Sequence, residues 1–130
     1  MIKLLINCPS EFNLSTKTLK IAGGIESLSF HLAKYLSNIN IDVTLSSICN
    51  KTRYANNVLN LPINLIKKKS HKYNFDIIIS SNDSSIFSYF SNSKKILWLH
   101  NPLQIEKSIR KKQFFFIVKH KPIVVFVSKY

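Results

Sequence analysis

Residues 23–36, GGIESLSFHLAKYL, decide the fold of this 130-residue chain. Gly23 and Gly24 are the only glycines in the sequence, and the apolar residues that follow, at positions 25, 28, 32, 33 and 36, have the spacing of one helical face. Short apolar runs stand on either side, at residues 2–6 and 41–45. The order of strand, loop, glycine turn, helix and strand predicts the opening unit of a doubly wound α/β sheet.

The glycine pair also suggests a function for the start of this helix. Glycine has no Cβ, so it can adopt positive φ and let another group approach the backbone closely. The first N–H groups of a helix are unpaired and lie at the positive end of its dipole, which suits a phosphate. Glu26 suits the dipole but opposes a nearby anion. A flexible turn that simply starts the helix explains the pair equally well.

The bulk properties are typical of one globular domain over residues 1–130. Hydrophobic residues make up 45% of the chain, enough for a packed core, and no apolar run reaches the ~18–20 residues that span a bilayer. The N-terminus lacks the features of a signal peptide, so we expect a cytoplasmic protein. Cys8 and Cys49 form no Cys-x-x-Cys motif, and we expect reduced thiols rather than a zinc or redox site.

The net charge of +13 is the strongest bulk feature. Such a charge attracts nucleic acid, anionic lipid or phosphorylated substrates. The chain is also rich in residues with A/T-rich codons, and compositional drift explains part of the charge equally well. Counting lysines does not separate the two explanations.

The rest of the pattern predicts a sheet of about six strands. Further strands are expected at residues 58–62 (an edge strand), 75–80, 95–100 and 123–127. Helices are expected at residues 64–73, 84–90 and 104–119, and polar loops at 9–22 and 46–57. The sequence stops after a predicted strand, where a helix normally follows, so we interpret it as an incomplete domain.

Four ordered stretches resemble the N-terminal half of a GT-B fold glycosyltransferase, most closely family four, the "glycosyl transferases group 1". They are the glycine turn with its helix and second strand, residues 73–80 (YNFDIIIS), residues 95–101 (KILWLHN) and residues 124–130 (VVFVSKY). The resemblance covers nearly the full chain. It implies a Rossmann-like, mainly parallel sheet with helices on both faces, which is the incomplete N-terminal domain of such an enzyme.

This resemblance implies an acceptor-side domain of a retaining glycosyltransferase. Such an enzyme moves a sugar from a nucleotide-sugar donor to a glycan or glycolipid acceptor, as in lipopolysaccharide biosynthesis. A C-terminal domain with a pair of glutamates binds the donor in that family, so we expect this chain to be inactive without a donor-binding partner chain. The nucleotide sugar is a co-substrate, and no cofactor or metal ion is expected.

The resemblance also assigns roles to individual residues. Gly23 and Gly24 would present backbone N–H groups to the donor diphosphate or an acceptor phosphate, and Asn101 would belong to the same binding set. Ser128 would line the cleft near the acceptor. His100 would lie beside the transferred sugar as the catalytic residue, although a structural histidine at the end of a strand is the alternative.

Other residues keep two interpretations. Asp83 is either a helix cap or a cleft carboxylate, and Trp98 is either a core residue or a platform for a sugar. The basic runs at 67–69 and 110–112 are either solvated faces or a contact with an anionic membrane at the inner face of the cytoplasmic membrane. The phenylalanines at 114–116 extend that contact or pack in the core, and we expect at least one of them in the core.

A function of another class also fits the charge. A small basic α/β module could bind nucleic acid or another polyanion, with an affinity that falls steeply with salt. The sequence has no aromatic RNA-binding motif, KH loop or recognition-helix signature, so nucleic acid is not the favoured partner. A non-functional fragment is a third interpretation.

Overall fold

A single sheet of seven strands organises the molecule in the computed structural model, which describes residues 1–11, 24–55, 57–100 and 114–126. The strands are β1 (Lys3–Glu11), β2 (Asp42–Ile48), β3 (Arg53–Ala55), β4 (Val58–Pro62), β5 (Ile77–Ser81), β6 (Lys94–Leu99) and β7 (Ile123–Phe126). Their spatial order is β3-β4-β2-β1-β5-β6-β7. The pair β3–β4 is antiparallel and the other five neighbouring pairs are parallel, as the sequence pattern predicts for most of the sheet.

Helices cover both faces of this sheet. They are α1 (Gly24–Asn38), α2 (Ile63–Lys68) and α3 (Phe114–His120), with 3-10 helices at Ser70–Lys72 and Ser85–Tyr89. Helix α1 packs on one face, while α2, the second 3-10 helix and α3 lie on the other. The expected fold class, a doubly wound Rossmann-like α/β fold with a mainly parallel sheet, is therefore confirmed.

Strand β1 shows why the sequence forms a sheet buried on both sides. Successive side chains of a strand point to opposite faces. Leu4, Ile6 and Cys8 accordingly pack beneath α1, whereas Leu5 joins the core on the other face. Each of these four side chains is at most 4% exposed, and this two-sided burial is typical of a parallel sheet with a helix layer on each face.

Helix α1 is rotated slightly from the predicted orientation. Phe30 and Ala33 are buried against the sheet, but Leu28, which we expected on the apolar face, is 45% exposed. Ser29 takes the inward position next to Phe30 and is fully buried. The spacing of the apolar residues therefore fails to predict that Ser29 points into the protein.

Several predicted boundaries and one predicted strand position are wrong. The segment 46–57, expected as a loop, contains the end of β2 and the whole of β3. Because β3 pairs with β4, the strand at 58–62 is not an edge strand. Asn57 permits the tight turn between them by adopting the left-handed φ of 63°. Strand β1 also continues to Glu11, so the loop predicted from residue 9 begins too early.

The predicted helices after β4 are present in modified form. The helix expected at 64–73 is divided into α2 and the 3-10 helix Ser70–Lys72, and the one at 84–90 is a 3-10 helix. The predicted helix at 104–119 is described only in its last part, α3. None of the three phenylalanines of α3 is buried, so the prediction that at least one lies in the core is wrong. In the described parts of the chain, no helix is long and apolar enough to cross a membrane.

The chain order of the strands locates the point where a ligand is expected. From β1 the chain runs outward through β2 to the β3–β4 hairpin, then returns past β1 to add β5, β6 and β7 on the other side. The direction of winding therefore reverses between β1 and β5. In open α/β sheets, ligands bind in the crevice beyond the carboxyl ends of the strands at such a reversal.

Candidate functional site

Two groups of hydrogen-bonded polar side chains lie at the carboxyl edge of the central strands. We call the first the Asn7 network, and it consists of Asn7, Ser46, Ser80, Asp83 and Ser85. We call the second the His100 cluster, and it consists of Cys8, Ser29, Ser81 and His100. Because side chains alternate along β1 and β5, the two groups lie on opposite faces of the sheet.

The Asn7 network ties three neighbouring strands together. Asn7 on β1 lies in register with Ser46 on β2 and Ser80 on β5. Its amide nitrogen donates to Ser80 Oγ at 3.1 Å and to Asp83 Oδ2 at 3.3 Å, and its Oδ1 accepts from Ser46 Oγ at 2.7 Å. Asp83 Oδ1 accepts from the backbone N–H of Ser85 at 3.0 Å and from its hydroxyl at 2.5 Å. These hydrogen bonds offset the free-energy cost of burying an amide and a carboxylate.

Asp83 precedes the cap residue Ser84 rather than being the cap itself, but it accepts hydrogen bonds at the start of the 3-10 helix, much as a helix cap does. Its bonds to Ser85 hold the beginning of the 3-10 helix Ser85–Tyr89. The side chain is only 8% exposed and its other oxygen is bonded to Asn7. The role as a cleft carboxylate is not supported by this geometry, because both carboxylate oxygens are already engaged.

The His100 cluster lies beneath α1 and reaches the surface at the histidine. His100 Nε2 lies 3.2 Å from Ser81 Oγ, which lies 3.4 Å from Ser29 Oγ on α1. The Ser29 hydroxyl also acts on the Cys8 thiol of β1, where it opposes the rise in pKa that burial causes. Cys8, Ser29 and Ser81 are buried, whereas His100 is half-buried. His100 is therefore the member of this cluster that a ligand can reach.

Two neighbours fix the position of His100. Its backbone N–H donates to Asn82 Oδ1 at 3.0 Å, and the N–H of Asn82 donates to the carbonyl of Trp98 at 3.0 Å. Asn82 adopts the left-handed φ of 59°, which asparagine tolerates better than most residues. The rings of Trp98 and His100 lie 4.4 Å apart at 41°. Trp98 therefore supports the imidazole from one side, and it is half-buried rather than a core residue.

The electrostatic surroundings favour a neutral imidazole. Burial lowers the pKa of His100 below its usual 6.5, and the nearby carboxylate of Glu26 raises it in partial compensation. Burial raises the pKa of the Cys8 thiol, while hydrogen bonds from Ser29 and Ser10 act in the opposite direction. Since Glu26 acts on both groups, the first turn of α1 lies close to this cluster.

The start of α1 is open to solvent at Gly24. A Cβ at Gly24 would meet no atom of the described residues within 4 Å, and the φ of Gly24 is not left-handed. Of the two reasons that favour glycine, only close approach of another group can therefore apply here. Gly24 and His100 are both in the described part of the chain, but Gly23, Asn101 and Ser128 lie outside it.

Sequence reasoning missed most of the site. It singled out His100 but not Ser81 or Ser29, and it treated Cys8 only as a reduced thiol. One available signal was Asn7, a polar residue inside an otherwise apolar strand, since a buried amide needs partners. Among the described residues, no three His, Cys, Asp or Glu side chains are grouped so that they could hold a metal ion.

Comparison with known proteins does not place the chain in a family. No family model matches it, and no curated protein matches it. The chemistry of the site is therefore inferred from its geometry.

A first prediction concerns the titration of His100. Replacing Glu26 by Gln should lower the pKa of His100 further, because it removes the carboxylate that favours the charged imidazole. The native histidine should titrate below pH 6.5 in an NMR experiment that follows its ring signals. Asp42→Asn, at the amino end of β2, is the control and should leave that titration unchanged.

The lowered pKa of His100 also determines how its contribution to stability changes with pH. Between the lowered pKa and 6.5, the unfolded chain binds a proton at His100 that the native protein does not bind. The contribution of His100 to the free energy of unfolding is therefore complete above pH 6.5 and decreases as the pH falls through that window. A pKa of His100 above 6.5 in the folded protein would contradict this account.

Proposed function

We propose that this chain is the acceptor-side domain of a retaining glycosyltransferase. In this proposal it works with a donor-binding half, and together they move a sugar from a nucleotide-sugar donor to a glycan or glycolipid acceptor. We expect no metal ion to be needed, because the start of α1 and basic side chains of the donor-binding half would neutralise the leaving diphosphate. The reaction takes place in the cytoplasm, at the inner face of the membrane when the acceptor is a glycolipid.

The position of His100 is the observation that carries this proposal. The half-buried imidazole lies at the carboxyl edge of the sheet, beside the reversal of winding and close to the first turn of α1. A sugar held there could contact a ring N–H while its phosphate lies near the first N–H groups of α1. The net charge of +13 supports an anionic substrate.

Transfer by the complete reading frame that contains these residues tests the proposal. The enzyme would be incubated with a mixture of radiolabelled uridine- and guanosine-diphosphate sugars and a lipid extract from the native cells. We expect label in the lipid or glycan fraction. Absence of transfer from a frame that encodes a second Rossmann-like half with a glutamate pair would contradict the proposal.

A second candidate function is supported by lysines that lie over aromatic rings. Lys67 Nζ lies 5.8 Å from the ring centre of Tyr89, and Lys119 Nζ lies 5.7 Å from that of Phe115. Both rings are exposed, which suits stacking with unpaired bases. Binding of a single-stranded oligonucleotide that weakens steeply with salt, together with no transfer activity, would favour this function over the first.

Substitution of Gly24 distinguishes a binding surface from a simple turn. Gly24→Ala should leave the free energy of unfolding within about 1 kcal/mol of the native value, because its Cβ meets open space. Gly24→Leu should fold equally well but lower transfer by the completed enzyme at least about tenfold, since the side chain would block approach to the helix start. Unchanged transfer in Gly24→Leu would show that no substrate group approaches there.

A further inference from the structure

Trp98 and His100 lie side by side at the carboxyl end of β6, with ring centres 4.4 Å apart. We propose that this pair of rings forms a subsite for a pyranose sugar, with the indole against the C–H face of the sugar and the imidazole at its hydroxyl groups. The inference names the part of the substrate that this chain contacts, so it rests on the proposed function. Binding of a sugar ring can nevertheless be measured without any transfer reaction.

The two rings lie on the face of the sheet that carries α1. Leu99 joins the core on the opposite face, so the alternation of side chains along β6 directs Trp98 and His100 to the α1 face. The contact of 3.2 Å between His100 Nε2 and Ser81 Oγ agrees with this direction, because Ser81 also contacts Ser29 of α1. The pair therefore lies beside α1 at the carboxyl edge of the sheet.

The sheet next to the pair is open on this face. Of the described α-helices, α1 alone lies here, and it packs over β1 and its neighbours β2 and β4. Trp98 is in register with Ser81 on β5 and with Val125 on β7, so these three side chains form one row across the sheet beyond α1. Trp98 is half-buried and Val125 is exposed. The row offers a ligand a shallow surface with an aromatic ring at its centre and α1 along one side.

Each ring of the pair has a polar atom that is available to a ligand. Among the described residues, the indole N–H of Trp98 has no hydrogen-bond partner, and His100 uses Nε2 toward Ser81 and leaves Nδ1 unpaired. No buried polar side-chain atom of the described residues lacks a partner, so these two atoms reach solvent. A sugar hydroxyl both donates and accepts hydrogen bonds. It can therefore bind Nδ1 in either tautomer and can also accept from the indole N–H.

A sugar ring matches this combination of groups better than an anion does. One face of a pyranose presents C–H bonds, whose weakly positive hydrogens pack on the negative face of an aromatic ring, while its edge carries hydroxyl groups. Burial lowers the pKa of His100, so the imidazole is neutral near pH 7 and offers a hydrogen bond rather than a positive charge. A lone phosphate would use neither the indole face nor a charge on the imidazole.

Trp98 is the only tryptophan of the chain, so tryptophan fluorescence reports on this subsite alone. The chain would be titrated with methyl β-D-glucopyranoside, methyl β-D-galactopyranoside and methyl β-D-mannopyranoside. At least one should move the emission to shorter wavelength and protect it from quenching by acrylamide, with a dissociation constant on the order of 1 mM. Glycerol, which has hydroxyl groups but no ring, should do neither.

Two results of this titration would overturn the proposal. One is an unchanged emission with all three glycosides at concentrations on the order of 50 mM, well above the expected dissociation constant. The other is a free chain whose emission acrylamide does not quench, because another part of the chain or a second copy would then cover Trp98. Neither result depends on the folding of a variant.

Trp98→Ala, with Tyr54→Ala as its matched control, tests the stacking contact. Saturation-transfer NMR on the glycoside that binds gives the readout, since it needs no tryptophan. Saturation should be strongest on the C–H protons of one ring face, and Trp98→Ala should weaken binding at least about tenfold. Tyr54 is also an exposed aromatic residue on a strand, but it lies at the opposite edge of the sheet, so its replacement should leave binding unchanged. Binding that persists in folded Trp98→Ala would overturn the proposal.

Two kinds of substrate contain such a ring, and uridine diphosphate glucose separates them. The methyl glycosides represent a glycan or glycolipid acceptor, and the nucleotide sugar represents the donor, so the ligand that protects Trp98 at lower concentration identifies the source of the ring. Sugar binding at Trp98 without transfer by the completed enzyme would support the subsite and contradict the proposed function. Transfer without any effect of these sugars on Trp98 would support the proposed function and overturn the subsite.

Discussion

Under the proposed function, replacing His100 by Ala in the completed enzyme should lower the rate of sugar transfer by about 10²–10³-fold. This is the effect of removing one preorganised donor that acts on charge developing in a transition state. The folded state should change little, because the imidazole is half-buried and its backbone N–H keeps its bond to Asn82. Initial rates at saturating donor, with circular dichroism to confirm folding, give the measurement.

A pair of amide variants separates the two ring nitrogens of His100. Asn places its amide nitrogen where Nδ1 lies, and Gln places its amide nitrogen closer to Nε2. If His100 donates from Nδ1, His100→Asn should keep more activity than His100→Gln. The opposite order would indicate that Nε2 faces the substrate, and equal activity of His100→Ala and native enzyme would exclude His100 from the reaction.

Replacing Asn7 by Leu should destabilise the folded protein by about 3 kcal/mol. The side chain is fully buried and makes three hydrogen bonds, one of them to the carboxylate of Asp83. Leucine has a similar volume, so the main cost is the loss of partners for Ser46, Ser80 and the buried carboxylate. The midpoint of urea unfolding reports the change.

Asn74→Leu is the control for this substitution. Asn74 is exposed and precedes β5 at the opposite edge of the sheet, so its replacement should change stability by less than about 0.5 kcal/mol. A loss below about 1 kcal/mol in Asn7→Leu would mean that water replaces the missing partners. The Asn7 network would then contribute little to joining the three strands.

The sequence predicts the central strands of this fold better than strand β3 at the edge of the sheet. The apolar runs that become β1 and β5 are unambiguous because both faces of these strands are buried. Strand β3 has only three residues, and one of them, Tyr54, is 70% exposed, so it shows no apolar pattern. Its position depends on pairing with β4 through the turn at Asn57, which the sequence does not reveal.

The site was predictable only where a residue type is informative by itself. A histidine directly after a buried strand drew attention to His100. Ser29 was missed because Leu28 fits an apolar stripe, whereas the helix buries the next residue along. Apolar side chains occupy adjacent faces of α1, so the sequence does not show a rotation of the helix by one residue. That rotation decides which hydroxyl contacts Ser81.

Strand β7 at the outer edge of the sheet has a consequence for the protein in concentrated solution. All four of its side chains are exposed, up to 66% for Ile123, and among the described residues its outer backbone edge has no neighbouring strand and is a template for one. Mutual repulsion between copies that each carry a charge of +13 opposes such pairing. At physiological salt this repulsion extends only about 8 Å. Added salt should therefore promote aggregation of this chain, and low ionic strength should keep it dispersed.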